Sequence, residues 1–249
     1  MDLPELVIDG AVARITLRRP AQANRLEPDD LLALRQHIEA VNARPEVLVL
    51  RLQAQGKYFC SGYDLGRIGQ ARGVPFEEVV NSVENARPVT VAVIQGGVYG
   101  GATDLTLACD FRLGVRGIDL FMPAARLGLH FYRSGLERYV SRLGLDNAKR
   151  LFLTAERVDA QTLREMGFLT HLADDAPQLQ ATADALTQTL CSMAPLPLVG
   201  MKKHLNRIAR HTLDEDELRR DIVQAVDSED LREGQAAWAE KRAPRFQGR

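Results

Sequence analysis

Two short aliphatic runs, residues 47–52 and 89–94, each pass within a few residues into a stretch rich in glycine. The first, Val47-Leu-Val-Leu-Arg-Leu52, lacks the polar alternation of a strand with one wet face, so it reads as a strand covered on both sides. Strands of that kind need helices above and below them and parallel neighbours. This requirement commits the first part of the chain to a layered α/β arrangement.

The neighbouring segments fit. Residues 6–8 and 11–17 are β-prone and separated by Asp9-Gly10, a strong hairpin signal. Residues 29–43 carry apolar side chains at Leu31, Leu34, Ile38 and Val41, the spacing of one helix face, with Pro28 near the first turn. Residues 55–73 read as a loop and 75–86 as a second helix. A short helix over 102–108 and a strand over 110–115 follow. Strands thus alternate with helices to about residue 175, and beyond that the pattern is helical only, over 177–193, 198–210 and 214–240, with Pro195 and Pro197 separating the first two. The expected organisation is a core over residues 1–176 and a C-terminal helical segment over 177–249.

Composition narrows the class. Thirty-two Lys and Arg against 33 Asp and Glu leave a formal charge of −1, which argues against a nucleic-acid or membrane-surface partner. Cys60, Cys109 and Cys191 are odd in number and widely spaced, the pattern of a reducing, cytoplasmic setting and not of a disulfide framework. No apolar run approaches the ~20 residues of a membrane span, and the opening Met-Asp-Leu-Pro-Glu-Leu has neither the basic nor the apolar region of a signal peptide.

Chemistry is expected where the strands end. Lys57-Tyr58-Phe59-Cys60-Ser61-Gly62-Tyr63-Asp64-Leu65 follows the strand at 47–52, and Gln95-Gly96-Gly97-Val98-Tyr99-Gly100-Gly101-Ala102-Thr103-Asp104 follows the strand at 89–94. The C-terminal ends of strands are where α/β sheets hold ligands. Each segment offers a backbone N–H beside glycine, near a helix start, and such donors suit an anion or a developing oxyanion. The plain alternative is that these glycines only permit tight turns. His37, His171, His204 and His211 lack metal-ligand spacing, and no metal site is expected.

These motifs carry a resemblance. Phe59-Cys60-Ser61-Gly62-Tyr63-Asp64-Leu65 resembles the F-[CS]-[AS]-G-x-D-[LI] segment of the crotonase superfamily, the enoyl-CoA hydratase/isomerase proteins. Gly96…Tyr99-Gly100-Gly101-Ala102-Thr103-Asp104…Cys109-Asp110 is similar to its N-G-x-A-x-G-G-G-x-E…C-D segment. Arg18-Arg19-Pro20…Asn24-Arg25-Leu26 and the ending Glu240-Lys241-Arg242…Gly248 resemble its R-P-x₃-N-A-L and E-K-R-x-P-x-F-x-G pieces. The four stand in family order over nearly the whole chain.

The resemblance implies a crotonase-like α/β fold, a spiral of ββα units whose C-terminal helices build a trimer or a dimer of trimers. It implies an acyl-CoA partner, with coenzyme A part of the substrate, and no metal or redox cofactor. It places the thioester oxygen between the N–H groups of Tyr63 and Gly101. It places the nucleotide and pantetheine against the backbone around Phe59, Cys60 and Ser61, the loop at 24–26, and the cations Arg25, Lys241 and Arg242. Family hydratases use two glutamates; here those positions hold Asp104, one methylene shorter, and Ala124. Polarising a water between two carboxylates is thereby disfavoured. Asp104 is expected as the base, with His130 and Tyr132 as proton donor or clamp and Arg133 as a binder of a second carboxylate. Asp64 and Asp110 are expected to be structural. Hydration or isomerisation of an enoyl-CoA is the leading expectation. Decarboxylation of a malonyl-type thioester, CoA-ester hydrolysis and non-catalytic acyl-CoA binding are the alternatives.

Overall fold

The computed structural model describes residues 2–67 and 73–249. Strands β1 (Glu5–Asp9) and β2 (Val12–Leu17) form the expected antiparallel hairpin about Gly10, whose φ of +54° suits glycine. Helix α1 (Pro28–Asn42) leads to β3 (Val49–Ala54), then α2 (Phe76–Glu84), β4 (Val89–Ile94), the two-residue β5 (Val98–Tyr99), α3 (Gly101–Leu107) and β6 (Phe111–Val115). The chain continues through β7 (Asp119–Phe121), α4 (Arg133–Leu143), α5 (Leu145–Thr154), β8 (Arg157–Asp159), α6 (Ala160–Glu165) and β9 (His171–Ala173). It closes with α7 (Ala176–Cys191), α8 (Pro195–Ala209), α9 (Glu215–Val226) and α10 (Glu229–Glu240). The main sheet has the order β1-β2-β3-β4-β6-β9, parallel from β2 onward, and a small sheet has the order β5-β7-β8.

Period-two alternation explains the double burial of β3. Leu50 and Leu52 face a layer that contains Leu34 and Ile38 of α1, Val83 of α2 and Leu105 of α3. Arg51 points the other way and donates to Asp184 of α7 at 2.6 Å. Every residue of β4 is buried. Each Leu, Ile or Val so enclosed contributes about 1.5–3 kcal/mol, which makes these two strands the centre of the core.

The structure revises the expected division after residue 176. Helix α7 packs across β3, β4, β6 and β9 and puts Leu179, Ala183 and Leu190 into the core, while α8 packs on β4. The segment expected as one helix over 214–240 is two. Ser228 caps α10, its hydroxyl accepting the Leu231 N–H at 3.0 Å. Behind it, buried Asp230 accepts the N–H groups of Gln247 and Gly248, which folds the tail back onto α10. Strands β7 and β8, at three residues each, are too short to leave a pattern in the sequence. Among the described residues no helix is long and apolar enough to cross a membrane.

The turn after β4 packs against the segment after β3 without room for a side chain. A Cβ added to Gly96 falls 1.9 Å from the Lys57 carbonyl oxygen. Gly96→Ala must therefore displace backbone, and overpacking of this kind costs about 3 kcal/mol. In a chain of this length the thermal midpoint of Gly96→Ala should fall by about 6–12 °C, measured by circular dichroism. Gly117→Ala, where a Cβ meets nothing within 4 Å but φ is +88°, should lose less.

Candidate active site

Because β3 and β4 are parallel neighbours, the segments leaving their C-terminal ends lie side by side. They are laced together: the Phe59 N–H donates to Gly97 O at 3.1 Å and the Tyr99 N–H to Cys60 O at 3.0 Å. Gly62 adopts φ +96°, and a Cβ there would lie 2.8 Å from Tyr99 O and 3.2 Å from the Gly101 nitrogen. Only glycine lets the two turns approach so closely. On either side of Tyr63 the backbone is spent, since the Leu26 N–H donates to Gly62 O and the Asp64 N–H to Leu26 O, both at 2.9 Å. The Tyr63 N–H itself has no partner among the described residues. Gly101 opens α3, where N–H groups have no acceptor within the helix, and its N–H is likewise unpartnered among them.

These turns form one wall of a cavity of about 530 Å³. Phe76 at the start of α2, Met122 to Ala124 after β7, His130 to Tyr132 before α4, and Arg157 of β8 supply much of the rest. The described lining is mainly apolar and includes no Asp or Glu. Its polar side chains are Ser61, Tyr63, Tyr99, His130 and Tyr132, and its cations Arg67 and Arg157.

The sequence profile described as enoyl-CoA hydratase/isomerase matches residues 7–249. The chain belongs to the enoyl-CoA hydratase/isomerase family. It is 29% identical over 227 residues to an enoyl-CoA hydratase of Alternaria alternata, covering 89% of this chain and 76% of that protein. It is 27% identical over 232 residues to the methylmalonyl-CoA decarboxylase of Escherichia coli strain K12, covering 88% and 87%. The solved structure of DspI from Pseudomonas aeruginosa superposes with a TM-score of 0.88 at 30% identity, over 99% of this chain and 97% of that one. The fold is the crotonase-like one the motifs implied, and the protein is an enzyme that processes coenzyme A thioesters.

Within this family member, the residue expected as base does not reach the cavity. Asp104 is wholly buried on α3, where its Oδ2 accepts from the Tyr132 hydroxyl and from Arg138 Nη1, each at 2.5 Å. Its Oδ1 is buried without a hydrogen bond. Asp104 is absent from the cavity lining, whereas Tyr132, its hydrogen-bond donor, is part of it. Arg138, also fully buried, donates onward to Glu84 at 3.1 Å and to Asn81 at 2.7 Å, and Arg210 donates to Glu84 at 2.6 Å. Burial alone would raise the Glu84 carboxyl, but Arg138, then Arg142 and Arg210, hold it below the usual carboxylate range. Burial, reinforced by the Asp104 charge and hydrogen bond, pushes the Tyr132 hydroxyl far above the ordinary tyrosine range. Tyr132 therefore keeps its proton, points it at Asp104, and can offer the cavity only a lone pair.

The remaining expected residues divide. His130 lines the cavity with Nδ1 2.8 Å from Phe131 O, so a proton on Nδ1 leaves Nε2 as an acceptor. Ser61 lines the cavity, whereas Phe59 and Cys60 are wholly buried with their N–H groups committed to Gly97 O. Burial pushes the Cys60 thiol up to about 12, so it is inert as a nucleophile. Arg25 pairs with Glu27 at 2.8 Å and does not line the cavity. Asn24 serves the fold, its amide donating to Gln55 O and Tyr58 O. Lys241 and Arg242, beyond α10, do not line the cavity either, and Arg242 pairs with Glu233. Arg133 points to solvent and pairs with Glu137, so the expected carboxylate binder is misplaced. Asp64 accepts the Gly66 N–H, and Asp110 accepts from Thr90 and Lys202, both structural roles. Arg138, Glu84 and Arg157 were not singled out from the sequence. Arg138 alone left a trace there, as a cation beside Tyr139 in an otherwise amphipathic helix.

Glu84 has a depressed folded-state pKa, so its contribution to stability is complete above the unfolded value near 4.5 and is lost as pH falls through the folded value. Glu84→Gln leaves three arginines, Arg138 fully buried and Arg142 and Arg210 partly so, short of a charge and should cost about 3 kcal/mol at pH 7. The gap between the wild-type and Glu84→Gln thermal midpoints should narrow as pH drops below about 4.5. A pH-independent gap would show that the carboxylate charge is not what stabilises this network.

Proposed function

We propose that this enzyme generates and protonates a thioester enolate, with the substrate carbonyl oxygen held between the Tyr63 and Gly101 N–H groups. The observation that carries this reading is the pair of unpartnered amides on adjacent turns at the cavity wall. A thioester enolate concentrates charge on oxygen, and preoriented backbone donors in a largely apolar cavity meet that charge without reorganisation. His130 is then the proton-transfer group, acting through Nε2, and Tyr132 accepts a hydrogen bond from substrate or water. Double-bond isomerisation or hydration of an enoyl-CoA is the reaction so described. Neither a metal nor a redox cofactor is required, since the two amides meet the developing charge.

A second reading is decarboxylation of a malonyl-type thioester. It is favoured by the absence of Asp and Glu from the described lining, since loss of carbon dioxide yields the enolate without a base. Ala124, buried at the wall, leaves a methyl group where hydratases of this family place their second carboxylate. Under both readings the enzyme works in the cytoplasm, where Cys60, Cys109 and Cys191 stay reduced. It does so as a trimer or dimer of trimers. Met201, Leu205 and Ile208 of α8 and Val223 of α9 are exposed, and Trp238 of α10 is 88% exposed, a load of apolar surface that partner subunits would cover.

Gly101 is the place to test the donor. Proline is tolerated at the first position of a helix and removes the N–H. Gly101→Pro should lower kcat by about 10²–10³ with the fold intact by circular dichroism, whether crotonyl-CoA or methylmalonyl-CoA is the better substrate. Gly101→Ala keeps the N–H, but its methyl would lie 2.8 Å from the Phe76 ring, so it should lose less. Full activity in a folded Gly101→Pro enzyme would refute the oxyanion assignment.

A further inference from the structure

The cavity holds a cation that neither reading uses. Arg157 opposes Phe121 in the β7–β8 ladder and lines the cavity beside it. Three residues after Phe121 comes Ala124, also on the wall. The Gly100 N–H donates to Phe121 O at 2.8 Å, which sets the Phe121–Arg157 pair beside the Gly101 turn. Arg25 and Lys241, the cations assigned from sequence to coenzyme A, lie outside the cavity.

The guanidinium is built into place. Its central carbon lies 5.2 Å from the Tyr99 ring centroid and 5.0 Å from that of Phe121. Asp119 Oδ2 accepts from Nη1 at 2.5 Å, and Asp119 Oδ1 accepts the Tyr99 hydroxyl at 2.7 Å. Gly97 makes room for that phenol, since a Cβ there would lie 2.1 Å from the Tyr99 hydroxyl oxygen. One carboxylate thus fixes both the cation and an aromatic face beneath it. Asp119 is the single salt-bridge partner of Arg157 among the described residues, which leaves further donors of a planar fork suited to a carboxylate.

We propose that Arg157 binds a second carboxylate on the acyl group, so that the enzyme prefers the coenzyme A half-thioester of a dicarboxylic acid over a neutral acyl-CoA. The proposal rests on the CoA-thioester reading of the cavity and names its substrate class. It is compatible with either reaction above, and it gives Arg157 the part first expected of Arg133. With its side chain 62% exposed, Arg157 acts through water-screened contacts, so the discrimination is moderate and not absolute.

Equilibrium binding to the whole protein tests this by calorimetry with two pairs of esters matched in carbon number, succinyl-CoA against butyryl-CoA and glutaryl-CoA against valeryl-CoA. In at least one pair the wild type should bind the carboxylated ester about tenfold or more tightly, the worth of one charge-assisted hydrogen bond. Arg157→Gln should abolish that preference while binding the neutral ester as the wild type does. Arg157→Lys, which keeps the charge and loses the fork, should retain part of it and covers the case in which Arg157→Gln folds poorly. Equal weakening of both esters in Arg157→Gln would make Arg157 a contact to coenzyme A itself and overturn the proposal. No preference in the wild type would overturn it too, while leaving the thioester reading intact. Failure of all four esters to bind would sink that reading along with the proposal.

Discussion

The site depends on how closely two parallel strands let their outgoing turns approach. β3 and β4 pair in register, so the segments that leave them meet at the same edge of the sheet. Gly62, at φ +96°, then lies against Tyr99 and Gly101 without a side chain between. Phe59, Cys60 and Tyr99 spend their amides in lacing the turns together, while those of Tyr63 and Gly101, two residues of the cavity wall, have no partner among the described residues. The unpaired donors are a product of the folding geometry: one precedes the first helical acceptor, and the other sits between two bridge bonds. In the proposed reaction an oxyanion would relieve their desolvation more than the neutral thioester oxygen would, which is the selectivity that a transition state requires.

Beneath the cavity the protein keeps its charges in a closed chain. Asp104, Arg138, Glu84 and Arg210 are buried or nearly so and bonded in sequence from α3 through α4 and α2 to the end of α8. Such a chain is weak evidence for stability, since each ion must first be desolvated, but removing any member leaves its partner uncompensated. For function its effect is directional. Asp104 Oδ2 accepts from both Arg138 and the Tyr132 hydroxyl, so the phenol proton is directed at Asp104 and the phenol oxygen keeps its lone pair for the cavity. The Asp104 carboxylate is wholly buried and bonded to protein partners, and it is absent from the cavity lining.

Much of the architecture was legible before any coordinates. The apolar run at 47–52 called for cover on both faces, and Leu34, Ile38 and Val83 on one side with α7 on the other supply it. The order of the Gly62 and Gly101 motifs identified the family and located the paired turns. What the sequence did not disclose was side-chain reach. The letters Asp104 and Tyr132 lie 28 positions apart, and nothing in either marks their mutual burial. Phe59 and Cys60 sit inside a motif associated with ligand binding, yet both are wholly buried because the segment after β3 is covered on both sides. Arg157 was silent because its partners, Asp119 and the Tyr99 and Phe121 rings, meet it through a three-residue strand too short to detect. Ser228, an ordinary helix cap, was passed over within a continuous helical pattern.

The central claim is that two backbone donors polarise the thioester carbonyl, and the most direct measurement is the stretching frequency of that bond. Difference infrared spectroscopy on a carbonyl-¹³C-labelled acyl-CoA, bound to the wild type and to Gly101→Pro, isolates it from the amide background. The account predicts a band shifted clearly below its position in free acyl-CoA when bound to the wild type, moving back towards the free value in Gly101→Pro. A bound thioester whose carbonyl band stays at the solution frequency in the wild type would contradict it.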